Sequence, residues 1–180
     1  MISLGFDKVI HTTDLSQYND WLDEEIVSGW MKSVEYLINK HKYDEIVVKH
    51  KKLIDGKEED FLVKIRTRNV DTSKVPNTKQ KHDIVEDAGI AMGLLVTQWL
   101  RPCTSFRVLK EGDGYDYRYL PNDCSEEELI EMTGTEISGG GDSRLATKIR
   151  NFKIKHPDSS GYISVSCFSD RIQIHWGHKN

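Results

Sequence analysis

The stretch DIVEDAGIAMGLLVTQWL, from Asp83 to Leu100, is apolar on nearly every face and is stopped by Pro102. A helix that is hydrophobic all round must be covered on more than one side, so this segment belongs in the middle of a domain. Gly89 and Gly93 sit one turn apart within it. Each costs roughly 1 kcal/mol of helix propensity against alanine, a cost that close approach to another backbone offsets. Close packing on a β-sheet is therefore expected.

The flanking segments supply that sheet. Upstream, ISLGFDKVI reads as a weak strand. Asp20 or Ser16 then opens a helix through WLDEEIVSGWMKSVEYLINKH, with Trp21, Ile26, Trp30, Val34 and Leu37 at helical spacing. EIVVKHKKLI and DFLVKIRTRNV follow as two strands around the turn Asp55-Gly56. The polar stretch VDTSKVPNTKQK is a loop and marks the one internal boundary. Downstream of the central helix, SFRVLKEGDGYDYRYL gives two strands around EGDG, and EELIEMTGTEIS gives a third. GGGDS leads into a helix RLATKIRNFKIK with Leu145, Ile149 and Phe152 as its buried stripe, and YISVSCFS and RIQIHW close as strands. The order from Asp83 is helix, three strands, helix, two strands. That is an α/β fold, a mixed β-sheet with flanking helices, in a single domain over residues 1–180: an extension over 1–80 and a core over 83–180.

With 180 residues, 37% of them hydrophobic, the chain can bury a core. No run of about eighteen apolar residues is present, and the start lacks a basic and apolar leader, so no membrane span and a cytoplasmic location are expected. Cys103, Cys124 and Cys167 show no CxxC spacing, which excludes a zinc ribbon and predicts reduced thiols. The formal net charge is -4, yet it is segregated. Residues 1–39 carry two basic and seven acidic side chains, 40–81 twelve and seven, 82–142 four and thirteen, 143–180 seven and two. The acidic third block is suited to gather around a cation or to meet a basic protein partner, and the basic blocks to flank an anionic polymer. Ordinary solvated faces account for the same pattern.

Three acids stand where the element order brings chain segments together. Glu86 lies in the first turns of the central helix, Asp116 on the strand after EGDG, and Glu131 on the strand after the acidic turn. Glu131, Thr133 and Thr135 alternate with Ile130, Met132 and Gly134, so the polar set shares one face. Carboxylates from two neighbouring strands and one helix make an oxygen site for Mg²⁺ or Mn²⁺, the usual setting for phosphoryl chemistry. Each acid has a plainer account. Asp83 and Glu86 stand at capping-box spacing, Asp116 can pair with Arg118 or Arg107 across the hairpin, and Glu131 can end the charged run begun by Glu126, Glu127 and Glu128.

On GDGYDY, IEMTG and GDSRL, and on the element order, the segment from Asp83 to Ser169 resembles the PD-(D/E)XK nuclease-like superfamily and is similar to uncharacterised bacterial proteins of this shape. The resemblance implies a restriction-endonuclease-like core, with Asp116 and Glu131 as the metal-holding acids and Glu86 as an auxiliary acid. It also implies a lysine two residues after the second acid, where this chain has Thr133. Some members carry that lysine on the following helix, and Lys148, at the edge of the buried stripe, takes the role here; snorkelling along its own stem is the alternative. Nucleic acid is then the implied partner. Lys64, Arg66 and Arg68, alternating on one strand, and Arg150 and Lys153 on the late helix would grip its backbone. The missing lysine favours a rival: an inactive, nuclease-like interaction protein that meets a partner as an inhibitor, immunity or defence-system component.

Other motifs carry less. His175 and His178 in HWGHKN have a ligand-like spacing but no third ligand nearby, and read as a frayed tail. Gly139, Gly140 and Gly141 form a strand-to-helix turn rather than a phosphate loop, since Asp142 would repel an anion. Tyr115, Tyr117 and Tyr119 alternate on one strand, for base stacking or for the core. The absence of GxSxG disfavours acyl hydrolases.

Overall fold

The computed structural model describes residues 8–109 and 117–179. β1 (Lys8–His11) runs into a 3₁₀ segment (Thr12–Asp20) and α1 (Glu24–His41), followed by the hairpin β2 (Glu45–Lys51) and β3 (Glu58–Arg66). A short α2 (Val75–Thr78) precedes the central helix α3 (Lys81–Leu100). Then come β4 (Cys103–Val108), β5 (Tyr117–Pro121), β6 (Glu128–Thr135), α4 (Gly140–Lys155), β7 (Gly161–Cys167) and β8 (Ile172–His178). No helix among the described residues is long and apolar enough to cross a membrane.

Local chemistry sets the boundaries. α1 starts at Glu24 rather than after Asp20 or Ser16, because the Asp23 carboxylate accepts from the Glu25 and Ile26 amides and so caps the helix. It ends on Lys42 in the left-handed region, φ 52°. The β2–β3 turn places Gly56 at φ 65°, a conformation glycine takes at little cost.

All eight strands form one mixed sheet in the order β1-β3-β2-β8-β7-β6-β5-β4. β4, β5 and β6 are successive antiparallel neighbours, and α4 carries the chain from β6 to its parallel neighbour β7. α3 and α4 cover opposite faces. A Cβ on Gly89 would collide with the backbone of Gly134 and Thr133, and one on Gly93 would lie 2.7 Å from the Met132 sulfur, so α3 rides directly on β6 as its glycines predict. The other face of β6, β7 and β8 presents Leu129, Ile163, Val165 and Ile174 to Phe152, Leu145 and Ile149 of α4. α1 shares the core on the α3 side.

The segment HWGHKN is not a frayed tail: β8 is paired on both sides, parallel to β2 and antiparallel to β7, and His175 is fully buried. Strand alternation in RIQIHW is the local cause, and its insertion between two distant strands completes the burial.

Candidate functional site

The alternation along β6 sorts its side chains as expected. Met132 and Gly134 meet α3, whereas Glu131 and Thr133 stand opposite Ile163 and Val165 on the face that α4 covers. Arg144 and Lys148, one turn apart on α4, lean onto these two residues. The Lys148 ammonium forms an ion pair with Glu131 Oε1. Arg144 Nη1 donates to Thr133 Oγ1 at 3.0 Å, and the Thr133 hydroxyl donates in turn to Glu86 Oε2, also at 3.0 Å. Glu86 comes from α3, on the far side of the sheet. It can meet Thr133 because, among the described residues, β5 pairs with β6 only between Glu128 and Ile130; beyond that point the described neighbour of β6 is β7 alone.

The β6 members of this cluster are dry, whereas Glu86, Arg144 and Lys148 are half-buried. Glu131 is 9% exposed and Thr133 1%. Charges taken out of water to this extent persist only with close partners, since breaking a buried pair costs about 3–5 kcal/mol. Five side chains from α3, β6 and α4 thus gather at neighbouring positions of β6 in two bonded sets, Lys148 with Glu131 and Arg144 through Thr133 to Glu86.

Asp116 and Tyr115 lie outside the described residues. Glu86 is not a capping-box residue: α3 begins at Lys81 with Gln80 at its N-cap, which makes no side-chain cap bond. Glu131 is not the end of a solvated run, because it is buried while Glu126 and Glu127 are exposed. Lys148 is ion-paired rather than merely extended along the surface. Among the basic residues, Lys64 stands 3.9 Å from Glu45, and Arg66, Arg150 and Lys153 are exposed. Arg68 does not share their strand. β3 ends at Arg66, and the Arg68 Nε and Nη2 each donate to the carboxylate of fully buried Glu35 at 2.9 Å. A carboxylate with no access to water needs such a bidentate partner. Tyr117 and Tyr119 are buried and face the core rather than a ligand.

Two carboxylates, Glu86 and Glu131, belong to the cluster, and among the described residues no group of three or more His, Cys, Asp or Glu is placed to hold a metal ion. Mg²⁺ is commonly held by one or two protein carboxylates, with water and substrate phosphate completing the octahedron. The oxygen-only donor set fits that cation and would not suit zinc or copper.

A second buried polar group escaped the sequence reading. Arg101, at the end of α3, donates through Nη1 to Glu128 at 2.8 Å and through Nη2 to Cys124 at 2.9 Å, and the Tyr119 hydroxyl also donates to Glu128 at 2.7 Å. Burial, reinforced by the Glu128 charge, raises the Tyr119 phenol well above its ordinary pKa. Next to it, Tyr162 stacks on His175 with ring centroids 4.3 Å apart, and the Nδ1 atoms of His175 and His50 are 3.1 Å apart. The Thr97 hydroxyl donates to the Gly93 carbonyl, so His175 Nε2 must donate to Thr97, leaving His175 Nδ1 bare to accept from His50. Burial holds both imidazoles below their ordinary pKa; the His50 and Arg101 charges add to this at His175. Only the HWGH spacing hinted at this group, and it pointed to the wrong partner. A cleft of about 420 Å³ opens beside Arg101 and Cys124, but the charges of Arg101, Arg118, Glu127 and Glu128 along it are directed at one another. No protein-family model, curated protein or solved structure matches the chain.

Proposed function

We propose that the chain is a metal-dependent, nuclease-like protein that binds nucleic acid and cleaves its phosphodiester backbone. One observation carries this reading: Glu86 of α3 and Lys148 of α4 reach neighbouring residues on one face of β6, Glu86 accepting from Thr133 and Lys148 pairing with Glu131. The path from α3 to β7 supports it, being a helix, three antiparallel strands, a helix and a strand parallel to the third. Glu86 and Glu131, with Asp116, are the residues that would hold Mg²⁺ or Mn²⁺. When bound, such an ion polarises a phosphoryl oxygen and lowers the pKa of an attached water. Lys148 fixes the direction of the Glu131 carboxylate and keeps a positive charge where negative charge grows on the phosphate. Exposed Arg150 and Lys153 on α4, with Lys64 and Arg66, grip the flanking backbone. The reducing cytoplasm is the proposed setting, where the thiols of Cys103, Cys124 and Cys167, all free, stay reduced.

A second reading has its own support. Both described carboxylates already have partners, Glu131 in Lys148 and Glu86 in Thr133, and Thr133 stands where a lysine is implied. A cluster satisfied in this way serves as a clamp in a non-catalytic protein that meets a basic partner. Thermal melts with millimolar Mn²⁺ or Mg²⁺, together with cleavage of a labelled DNA and a labelled RNA, separate the two. A ligand at 100 times its Kd stabilises by about 2.7 kcal/mol, and a chain of this size gains about 2–4 °C per kcal/mol. The nuclease reading expects a rise of several degrees that E86Q and E131Q abolish while both variants stay folded. No rise and no cleavage leave the interaction reading.

A further inference from the structure

We infer that Arg144 is the residue of this cluster that binds a phosphodiester group, an inference that rests on the nucleic-acid reading above. A guanidinium has five N–H donors in a planar fork and accepts nothing. Arg144 spends one of them on Thr133 Oγ1. The direction of that bond is forced, since the single proton of the Thr133 hydroxyl goes to Glu86. Two carboxylates belong to the same cluster, yet Arg144 forms no ion pair among the described residues: Lys148 occupies Glu131, and Thr133 stands between Arg144 and Glu86. Other arginines of restricted exposure each face a carboxylate, Arg118 meeting Glu127 at 3.6 Å. Arg68 is locked on Glu35 and Arg101 on Glu128, each through close charge-assisted bonds.

Thr133 therefore acts as a spacer. It ties the guanidinium to the cluster through one neutral bond and keeps it from collapsing onto the acid. The remaining donors keep the fork geometry that matches two non-bridging phosphate oxygens. α4 favours an anion along its length as well, carrying Arg144, Lys148, Arg150, Lys153 and Lys155 against Asp142 alone.

The test is the salt dependence of duplex DNA binding, followed by fluorescence anisotropy of a labelled duplex in EDTA, so that no metal is required. Arg144→Gln is expected to weaken binding about tenfold at low salt and to lower the slope of log K against log salt by about one. Arg144→Lys keeps the slope and loses part of the affinity, because it keeps the charge without the fork. Arg107→Gln, at an exposed arginine paired with Glu127, controls for the loss of any one positive charge. Arg144→Gln binding with the wild-type slope overturns the inference, as does a loss no larger than that of Arg107→Gln, a loss that follows a fall in melting temperature, or a wild-type chain that does not bind the duplex. Stabilisation by Mn²⁺ is measured separately on wild type and Arg144→Gln. If it persists when the DNA result fails, the metal reading survives; if it is absent while Arg144→Gln loses one contact, Arg144 stands and the metal reading falls.

Discussion

Glu35 shows what one buried charge demands of its surroundings. It is fully buried on α1, and its carboxylate accepts from the Arg68 amide, twice from the Arg68 guanidinium, and from the Thr12 hydroxyl at 2.6 Å. Arg68→Met removes the guanidinium and leaves the carboxylate in the core with its charge uncompensated. The expected loss of unfolding free energy in urea is about 3–5 kcal/mol, and the double variant Glu35→Met/Arg68→Met should lose clearly less. Neither residue was singled out correctly from the sequence. Arg68 reads as the third member of an alternating basic row, and only the end of β3 at Arg66 frees it to turn inward. Lys148 was legible because helical periodicity fixes its face; Arg144 sits four residues earlier on the same face, a spacing that would have paired them.

The contact between α3 and β6 was legible as an element pair. Glycines one turn apart in an apolar helix signal close approach, and Gly134 on β6 completes the contact, since a Cβ there would strike the Val85 carbonyl. Gly89→Ala sets two effects against each other. Helix propensity gains about 1 kcal/mol. The new methyl meets backbone atoms of Gly134 and Thr133, which no rotamer change can move, and overpacking of this kind costs about 1–3 kcal/mol or more. Net destabilisation is expected, with a lowered urea midpoint and an altered environment for Thr133 and Glu86. The partners of β8 were not legible: alternation identifies it as a strand, but nothing local to residues 172–178 states that β2, more than a hundred positions away, lies beside it.

Across the whole molecule, the segregated charge of the sequence resolves into pairing between blocks. Lys40 and His41 of α1 meet Glu136 after β6, Lys79 meets Asp87, and Lys148 meets Glu131. Asp87, Glu131 and Glu136 of the acidic third block are thereby neutralised from outside it, while Asp123, Glu127 and Glu128 meet arginines of the block itself, a division that composition alone could not reveal. Acid should act on the molecule in two stages. His50 and His175 have folded pKa values below the ordinary 6.5, so below that pH the unfolded chain binds protons that the folded chain refuses. Stability then falls with decreasing pH, approaching about 1.4 kcal/mol per pH unit for each histidine. The carboxylates of Glu127 and Glu136 are held below their ordinary value, Glu127 by its bond from Arg107, and Glu136 by Lys40 and His41 acting against its own burial. Their contribution is complete above about pH 4.5 and disappears as pH drops through the lowered values. Urea midpoints measured from pH 8 to pH 4 should show the first decline beginning near 6.5, and His175→Gln should flatten it. A profile flat down to pH 5 would contradict the buried imidazole pair.

The seat of β8 between β2 and β7 has a consequence for assembly of the sheet. Without it, β1, β3 and β2 form one ribbon and β7, β6, β5 and β4 another, each presenting a raw inner margin of unpaired amides and carbonyls. Zippering that seam requires contacts between segments far apart in the chain, which slows folding and prolongs the interval in which a foreign strand can take the same slot. A peptide spanning residues 171–179, supplied in excess during refolding, should compete for that slot and divert the protein into mispaired aggregates.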